Sequence, residues 1–438
     1  MTNAPRKALI GNCAHSLPDH AYPGPNLDWL HEVVSFFDYW LKELDNGVMD
    51  EPAITLFLRE YTEPEAFPKV WNGHWRSEPA YPIERMQWRE FYLGDTTLEA
   101  RTGRGEEAEN PSPPRLLASP PRLPTPSPHV DSYPHRPTLG TRAGLCWGAG
   151  AEPNGLARDL RPDEALSLTY TSAPLTEPLD VIGFPEAILY LSCDAPVAHV
   201  VVRLTDVAPD GTSAWVSAGM LNLTHREGHE NPKPLTPGEV YEIKVPLKAT
   251  GYHFLPGHQL RLSLASAYWP VIWPSPYRAM NYLHRGPATP SCLILPVVPA
   301  VAPPVESPSF KTSPPELISV GSASYEPATW QVIEDVIEQS VTVKTYGADS
   351  ADLPNGVSLA TSELLELTAY HHDPAHAQLY NECVYHLKEH GYETHIRTSG
   401  TFRSTETDFH MDVQLQVTLN GNPFFQKSWL ESIPRQLV

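Results

Sequence analysis

Hydrophobic positions along this chain change their period once. Over residues 26–44, Leu27, Leu30, Val34, Phe37, Leu41 and Leu44 recur at helical spacing, and Val33 and Trp40 widen the stripe. Asn26 suits the N-cap, Asp28 favours the positive end of the helix dipole, Lys42 sits in the last turn, and Asp45-Asn46-Gly47 offers a left-handed stop. Only one short apolar run, residues 7–10, precedes this helix, and it ends at Gly11. One strand cannot cover so wide a stripe, so further strands from outside this sequence are expected to bury it.

Beyond Pro52 the pattern becomes short alternating or β-branched runs. Residues 54–61, 186–192, 199–207, 215–223, 240–245 and 259–266 read as strands, punctuated by Pro209-Asp210-Gly211, Pro237-Gly238 and Pro256-Gly257. Short strands without intervening helices indicate an antiparallel sandwich of jelly-roll type. Residues 101–136, rich in Pro, Ser, Arg and Glu, read as a disordered or loosely held insertion. A second proline-rich stretch, 299–316, reads as a linker to a third unit, 317–438, where strands dominate again at 340–345 and 410–419. There Asn420-Gly421 makes a hairpin turn into residues 423–429. Residues 375–390 read as a short helix ending at Gly391. The expected organisation is therefore 1–51, 52–298 with its insertion, the linker, and a β-rich extension, in a chain that is mainly β.

Composition narrows the functional classes. A chain of 438 residues with 31 Lys plus Arg against 52 Asp plus Glu carries a formal charge of −21, which opposes binding to nucleic acid or to an anionic membrane surface. Five cysteines without CxxC spacing read as reduced thiols in a cytoplasmic setting. The first twenty residues lack an apolar signal core, and prolines 296, 299, 303 and 304 break the most apolar stretch, so neither export nor a spanning helix is expected.

The candidate chemistry centres on His15. The run Lys7-Ala8-Leu9-Ile10-Gly11-Asn12-Cys13-Ala14-His15 is a strand that delivers an imidazole just ahead of a helix. An α/β-hydrolase presents the last member of its triad in this way, in the chain order nucleophile, acid, histidine. Spacing alone makes a loop histidine a surface residue more often than a catalytic one. No Gly-x-Ser-x-Gly elbow occurs; the nearest run, Gly144-Leu145-Cys146-Trp147-Gly148, precedes residues that start a helix poorly and reads as a glycine-rich loop. Asp19 and Asp28 are the nearby acids, better read as a loop charge and a first-turn helix residue. His371, His372, Asp373 and His376 cluster, and His386 and His390 share i, i+4 spacing, but neither set has the His-Glu-x-x-His arrangement of a zinc site. No metal or other cofactor is expected. The aromatic, proline-rich segment 268–276 could form a ligand platform, though such runs more often pack a core.

Several runs together resemble the CocE/NonD serine hydrolases, the group of cocaine-esterase-like enzymes and Xaa-Pro dipeptidyl-peptidases. His15 falls where that family places its catalytic histidine, and Phe36-Phe37-Asp38-Tyr39-Trp40-Leu41-Lys42 with Asp45-Asn46-Gly47-Val48 resembles the helix that follows. In the sandwich the similar runs are Leu204-Thr205-Asp206-Val207-Ala208-Pro209-Asp210-Gly211, Pro256-Gly257-His258, and the segment from Ala267-Tyr268-Trp269 to Pro274-Ser275-Pro276. The ending Ile433-Pro434-Arg435-Gln436-Leu437-Val438 is similar to that of members with a further β-rich extension. Asn12 and Cys13 depart from the Pro-Trp usual before the histidine, and the serine elbow and acid are absent. The resemblance implies the C-terminal end of an α/β-hydrolase, one strand plus a helix, followed by a jelly-roll sandwich and a β-rich extension. It implies His15 as the catalytic base of a Ser-His-Asp triad acting on a small ester or peptide, with the missing upstream hydrolase half as a partner. The chain alone is expected to be inactive, and a non-catalytic binding or assembly module is the alternative.

Overall fold

The amphipathic run forms a helix, with its ends set differently from the sequence expectation. In this computed structural model, which describes residues 5–11, 13, 17–19, 23–100, 129–142, 156–299, 308, 310 and 322–438, strand β1 (Ala8–Ile10) precedes helix α1 (Trp29–Lys42). Asp28 rather than Asn26 is the N-cap, its Oδ1 accepting from the His31 amide at 3.0 Å. Asn26 instead donates to the Pro18 carbonyl at 3.3 Å. The helix stops at Glu43, which takes the left-handed conformation (φ 55°), ahead of Asp45-Asn46-Gly47. Asn46 is drawn back to the helix instead, donating to the Ser35 carbonyl at 2.7 Å. No residue of α1 is buried.

β1 lies at the margin of a twelve-stranded sheet, parallel to β2 (Ile54–Glu60), with Ala8 opposite Ile54 and Ile10 opposite Leu56. The chain continues through β3 (Gly73–Glu78), β4 (Gln87–Leu93), β5 (Leu98–Ala100), β6 (His129–Pro134) and a one-turn helix α2 (Arg161–Glu164). Next come β7 (Leu168–Thr171), β8 (Leu179–Gly183), β9 (Glu186–Cys193), β10 (His199–Val207) and β11 (Ser213–Asn222). β12 (Tyr241–Pro246), β13 (Thr250–Phe254), β14 (Gln259–Ala265), β15 (Met280–Arg285) and β16 (Cys292–Val297) complete the sandwich. The larger sheet runs β1-β2-β13-β8-β16-β9-β15-β6, with β3, β12, β4 and β5 attached at its sides; the smaller is β11-β10-β14-β7.

Alternation explains how the two sheets face each other. On β9, Ala187, Leu189 and Leu191 are buried while Ile188 and Tyr190 are not. They meet Val202 and Leu204 of β10, Leu262 and Leu264 of β14, and Leu283 and Leu293 of the larger sheet, all nearly inaccessible to solvent. All nine residues of β10 are buried, because Leu139 and Tyr268 cover Val201 on its outer face.

Two expectations need correction. The stretch read as a loose insertion, 101–136, is ordered at its end: residues 101–128 lie outside the described residues, but β6 pairs with β15 from His129 opposite Arg285 to Pro134 opposite Met280. Its polar composition hides a strand because the polar groups have partners. Asp131 accepts from Arg285 and, at 2.5 Å, from the Tyr170 hydroxyl.

The second correction concerns residues 375–390. Strands β17 (Ser322–Asp335), β18 (Ser340–Asp352), β19 (Ser358–Tyr370), β20 (Gln378–Glu389), β21 (Tyr392–Ser404), β22 (Asp408–Leu419) and β23 (Asn422–Pro434) form a seven-stranded antiparallel meander in chain order. The segment read as a helix is β20, held on both sides by β19 and β21. His390 and Gly391, with φ of 50° and 83°, form a hairpin turn rather than a helix end. Tyr380, Val384 and Tyr385 favour the strand, and two neighbours in the sheet outweigh a weak helical spacing.

Among the described residues Cys13, Cys193, Cys292 and Cys383 are free thiols, and no helix is long and apolar enough to cross a membrane.

Candidate active-site cleft

His15 lies outside the described residues, as does the 144–148 loop. Of the run that leads to it, residues 7–11 and 13 are described, and their far end borders a cleft of about 660 Å³. Ile10, Gly11 and Cys13 form one wall; Ile54, Leu56, Trp71, Ile182 and Trp215 form much of the rest. The lining is mostly apolar because β2 runs Ile54-Thr55-Leu56-Phe57-Leu58 before its first charge, Arg59. Close packing beneath the cleft depends on Gly73, at φ 148°, where a Cβ would lie 2.1 Å from the Leu58 carbonyl oxygen.

Arg59 sits among three aromatic rings. Its Cζ is 5.2 Å from the Trp71 centroid, 5.5 Å from Trp215 and 5.6 Å from Tyr252, and Nη2 donates to the Val216 carbonyl at 3.1 Å. Burial pushes the guanidinium pKa below its usual value. Behind it the Tyr252 hydroxyl donates to Asp206 Oδ2 at 2.9 Å, and Asp206 Oδ1 lies 2.8 Å from His258 Nδ1. Burial raises the Asp206 pKa, against the pull of His258. Further along, Asp180 binds both His253 and Arg76, and Arg76 reaches Glu78, tying β8, β13 and β3 together. The hydrogen bond to Asp180 raises the His253 pKa above its ordinary value.

The remaining sequence candidates separate in space and role. Asp28 is the helix cap described above, and Asp19 lies in a turn ahead of the helix. His371 Nδ1 lies 3.0 Å from Thr138 Oγ1, whereas His376 pairs with Asp373 at 2.7 Å. His386 stands on β20, 2.6 Å from Glu393, while His390 is in the following turn. Among the described residues no group of three or more metal-capable side chains converges. Segment 268–276 is a joint rather than an open platform: Tyr268 and Trp269 are sealed, and Trp273 stacks edge-on against Phe402 of β21 at 5.1 Å. Its Nε1 donates to Ser404 Oγ at 2.9 Å.

Arg59, Trp71 and Trp215 are the residues that sequence reading overlooked. The one available signal was a charge ending an otherwise apolar strand run, since the tryptophans are distant in sequence and meet only in the fold.

Comparison with known proteins bears on the same region. Residues 46–294 match the family described as the X-Pro dipeptidyl-peptidase C-terminal non-catalytic domain. The cocaine esterase of Rhodococcus sp. (strain MB1 Bresler) is 29% identical over 297 residues, covering 63% of this chain and 47% of that protein. The crystal structure of an aminopeptidase from a marine sediment archaeon, Thaumarchaeota archaeon, superposes with a TM-score of 0.51 at 22% identity, covering 67% of this chain and 49% of that one. A CocE/NonD family hydrolase from Staphylococcus aureus gives a TM-score of 0.43 at 17% identity, covering 61% of this chain and 46% of that one. The chain thus spans about half the length of the relatives it matches.

Proposed function

We propose, from the premise that this chain belongs to the family of the X-Pro dipeptidyl-peptidase C-terminal domain, that it is the C-terminal part of a serine hydrolase cleaving small esters or peptides. Its sequence relatives include a cocaine esterase and a putative serine esterase of Mycobacterium bovis, which supports the hydrolase class. In this reading His15 takes the proton of a serine hydroxyl and later gives it to the leaving group, while a carboxylate fixes its tautomer. The serine, the acid and the oxyanion donors come from a hydrolase half outside this sequence, which contains no Gly-x-Ser-x-Gly.

The observation that carries the reading is the bare face of α1. Leu30, Val34, Phe37 and Leu41 are 53%, 52%, 51% and 76% exposed, and all three residues of β1 face solvent. A helix with such a stripe is built to lie on a sheet, and of that stripe the described residues of this chain bury only Leu27, just ahead of the helix. The description of the matched domain as non-catalytic favours a second reading, a binding or assembly module.

Fluorophosphonate labelling and hydrolysis of p-nitrophenyl esters and Xaa-Pro anilides separate the two. The purified 438-residue chain should show neither labelling nor turnover. Adding a separately produced upstream hydrolase half should restore turnover, and His15→Ala should abolish that restoration by a factor of about 10³ or more. Labelling of a serine in the chain alone would overturn the reading, and failure of every complementation would favour the binding module.

A further inference from the structure

Arg59 is partnered unlike any other enclosed arginine among the described residues. Arg76, Arg261 and Arg285 each meet a carboxylate. Arg203 spreads its donors over Ser263 and Ser167, and Arg435 over the carbonyls of Val438, Thr405 and Pro274. Among the described residues Arg59 makes one side-chain hydrogen bond, to Val216, and no ion pair, although burial disfavours its charge. Its remaining N–H groups are not among those sealed from solvent without a partner, and the residue lines the 660 Å³ cleft. The flanking indole faces of Trp71 and Trp215 attract the cation but accept no directed hydrogen bond from the edge of its plane.

A desolvated cation with open donors, set in an apolar cleft, is complementary to an apolar molecule that ends in an anion. A planar carboxylate matches the guanidinium fork, and the apolar lining suits an aromatic or branched body. We propose that this cleft binds an aromatic monocarboxylate, with Arg59 as the residue that receives its carboxylate. The described lining comes from this chain, and the inference goes beyond the hydrolase reading because its test reads binding of the acid and not turnover.

Isothermal titration of the full 438-residue protein with 2-naphthoate and with methyl 2-naphthoate tests this directly. The acid should bind with one-to-one stoichiometry and at least tenfold more tightly than the ester. Arg59→Met should weaken the acid at least tenfold and leave the ester unchanged. No saturable binding of the acid, equal binding of acid and ester, or an Arg59→Met variant that binds the acid like wild type would each overturn the assignment. If Arg59→Met does not fold, phenylglyoxal modification of the wild-type protein decides instead. Peptide mapping should show Arg59 protected by 2-naphthoate and not by its ester, and the absence of that difference would sink the proposal.

Discussion

His199 is buried and His135 half-buried near the C-terminal tail of the chain, and the surroundings of each disfavour its charge. Burial lowers His135 to about 4 and His199 to about 3, with the Arg435 cation reinforcing both shifts. The unfolded chain takes up protons at these sites below pH 6.5 while the folded one does not, so their contribution is complete above pH 6.5 and declines as pH falls toward 4. Unfolding free energies from urea titrations should therefore drop across that window by up to about 1.4 kcal/mol per pH unit for each histidine. His199→Gln should flatten the slope relative to wild type; an unchanged slope would show that His199 is not a source of it. Asp131 acts lower on the scale: although burial opposes it, hydrogen bonds from Arg285 and Tyr170 lower its pKa below the usual carboxylate value. At this scale the sequence was legible only where chemistry follows a local pattern. His15 stands out because strand, glycine and histidine are contiguous, while the setting of Arg59 depends on rings contributed by residues 71, 215 and 252.

Among the elements, α1 makes the sharpest prediction. Its stripe is uncovered here, so Val34→Lys with Leu41→Lys should shift the unfolding free energy of the isolated chain by no more than about 0.5 kcal/mol. The same pair should prevent complementation by an upstream half, because two charges would then enter an apolar contact. Thermal melts and the turnover assay read the two effects separately. The helix was legible because its period is long and its ends are polar. The Asn420-Gly421 hairpin was legible because both residues tolerate positive φ, and they adopt 51° and 77°. β6 and β20 were obscured for opposite reasons. The first has polar residues whose partners lie about 150 positions away, and the second has a local spacing that also fits a helix.

For the whole molecule, the contact that matters most is the joint between sandwich and meander. Trp269 and Trp273 reach from the sandwich into a cluster with Val343, Leu367, Ala369 and Ala377, which belong to the seven-stranded unit. Arg435 fastens the C-terminal end to the same place through Pro274 and Thr405. Trp273→Ala should cost about 2–4 kcal/mol and split one calorimetric transition into two; a single transition at the wild-type temperature would show that the units are coupled elsewhere. The sequence separated these units at its proline-rich stretch but could not show that the aromatic segment 268–276 joins them, since the partners Phe402 and Phe409 lie more than a hundred residues on.

The meander ends at β23, whose outer side pairs with no strand among the described residues and which displays Phe424, Phe425, Leu430 and Ile433 to solvent. A thirteen-residue strand with one unpaired edge and greasy neighbours is a template on which a second molecule can stack, and Lys427, midway along and lying over Trp429, is an obstacle to such growth. Lys427→Val should leave each molecule folded yet turn concentrated solutions to multimers by light scattering, so that one ammonium group sets how crowded this protein can become before it begins to polymerise.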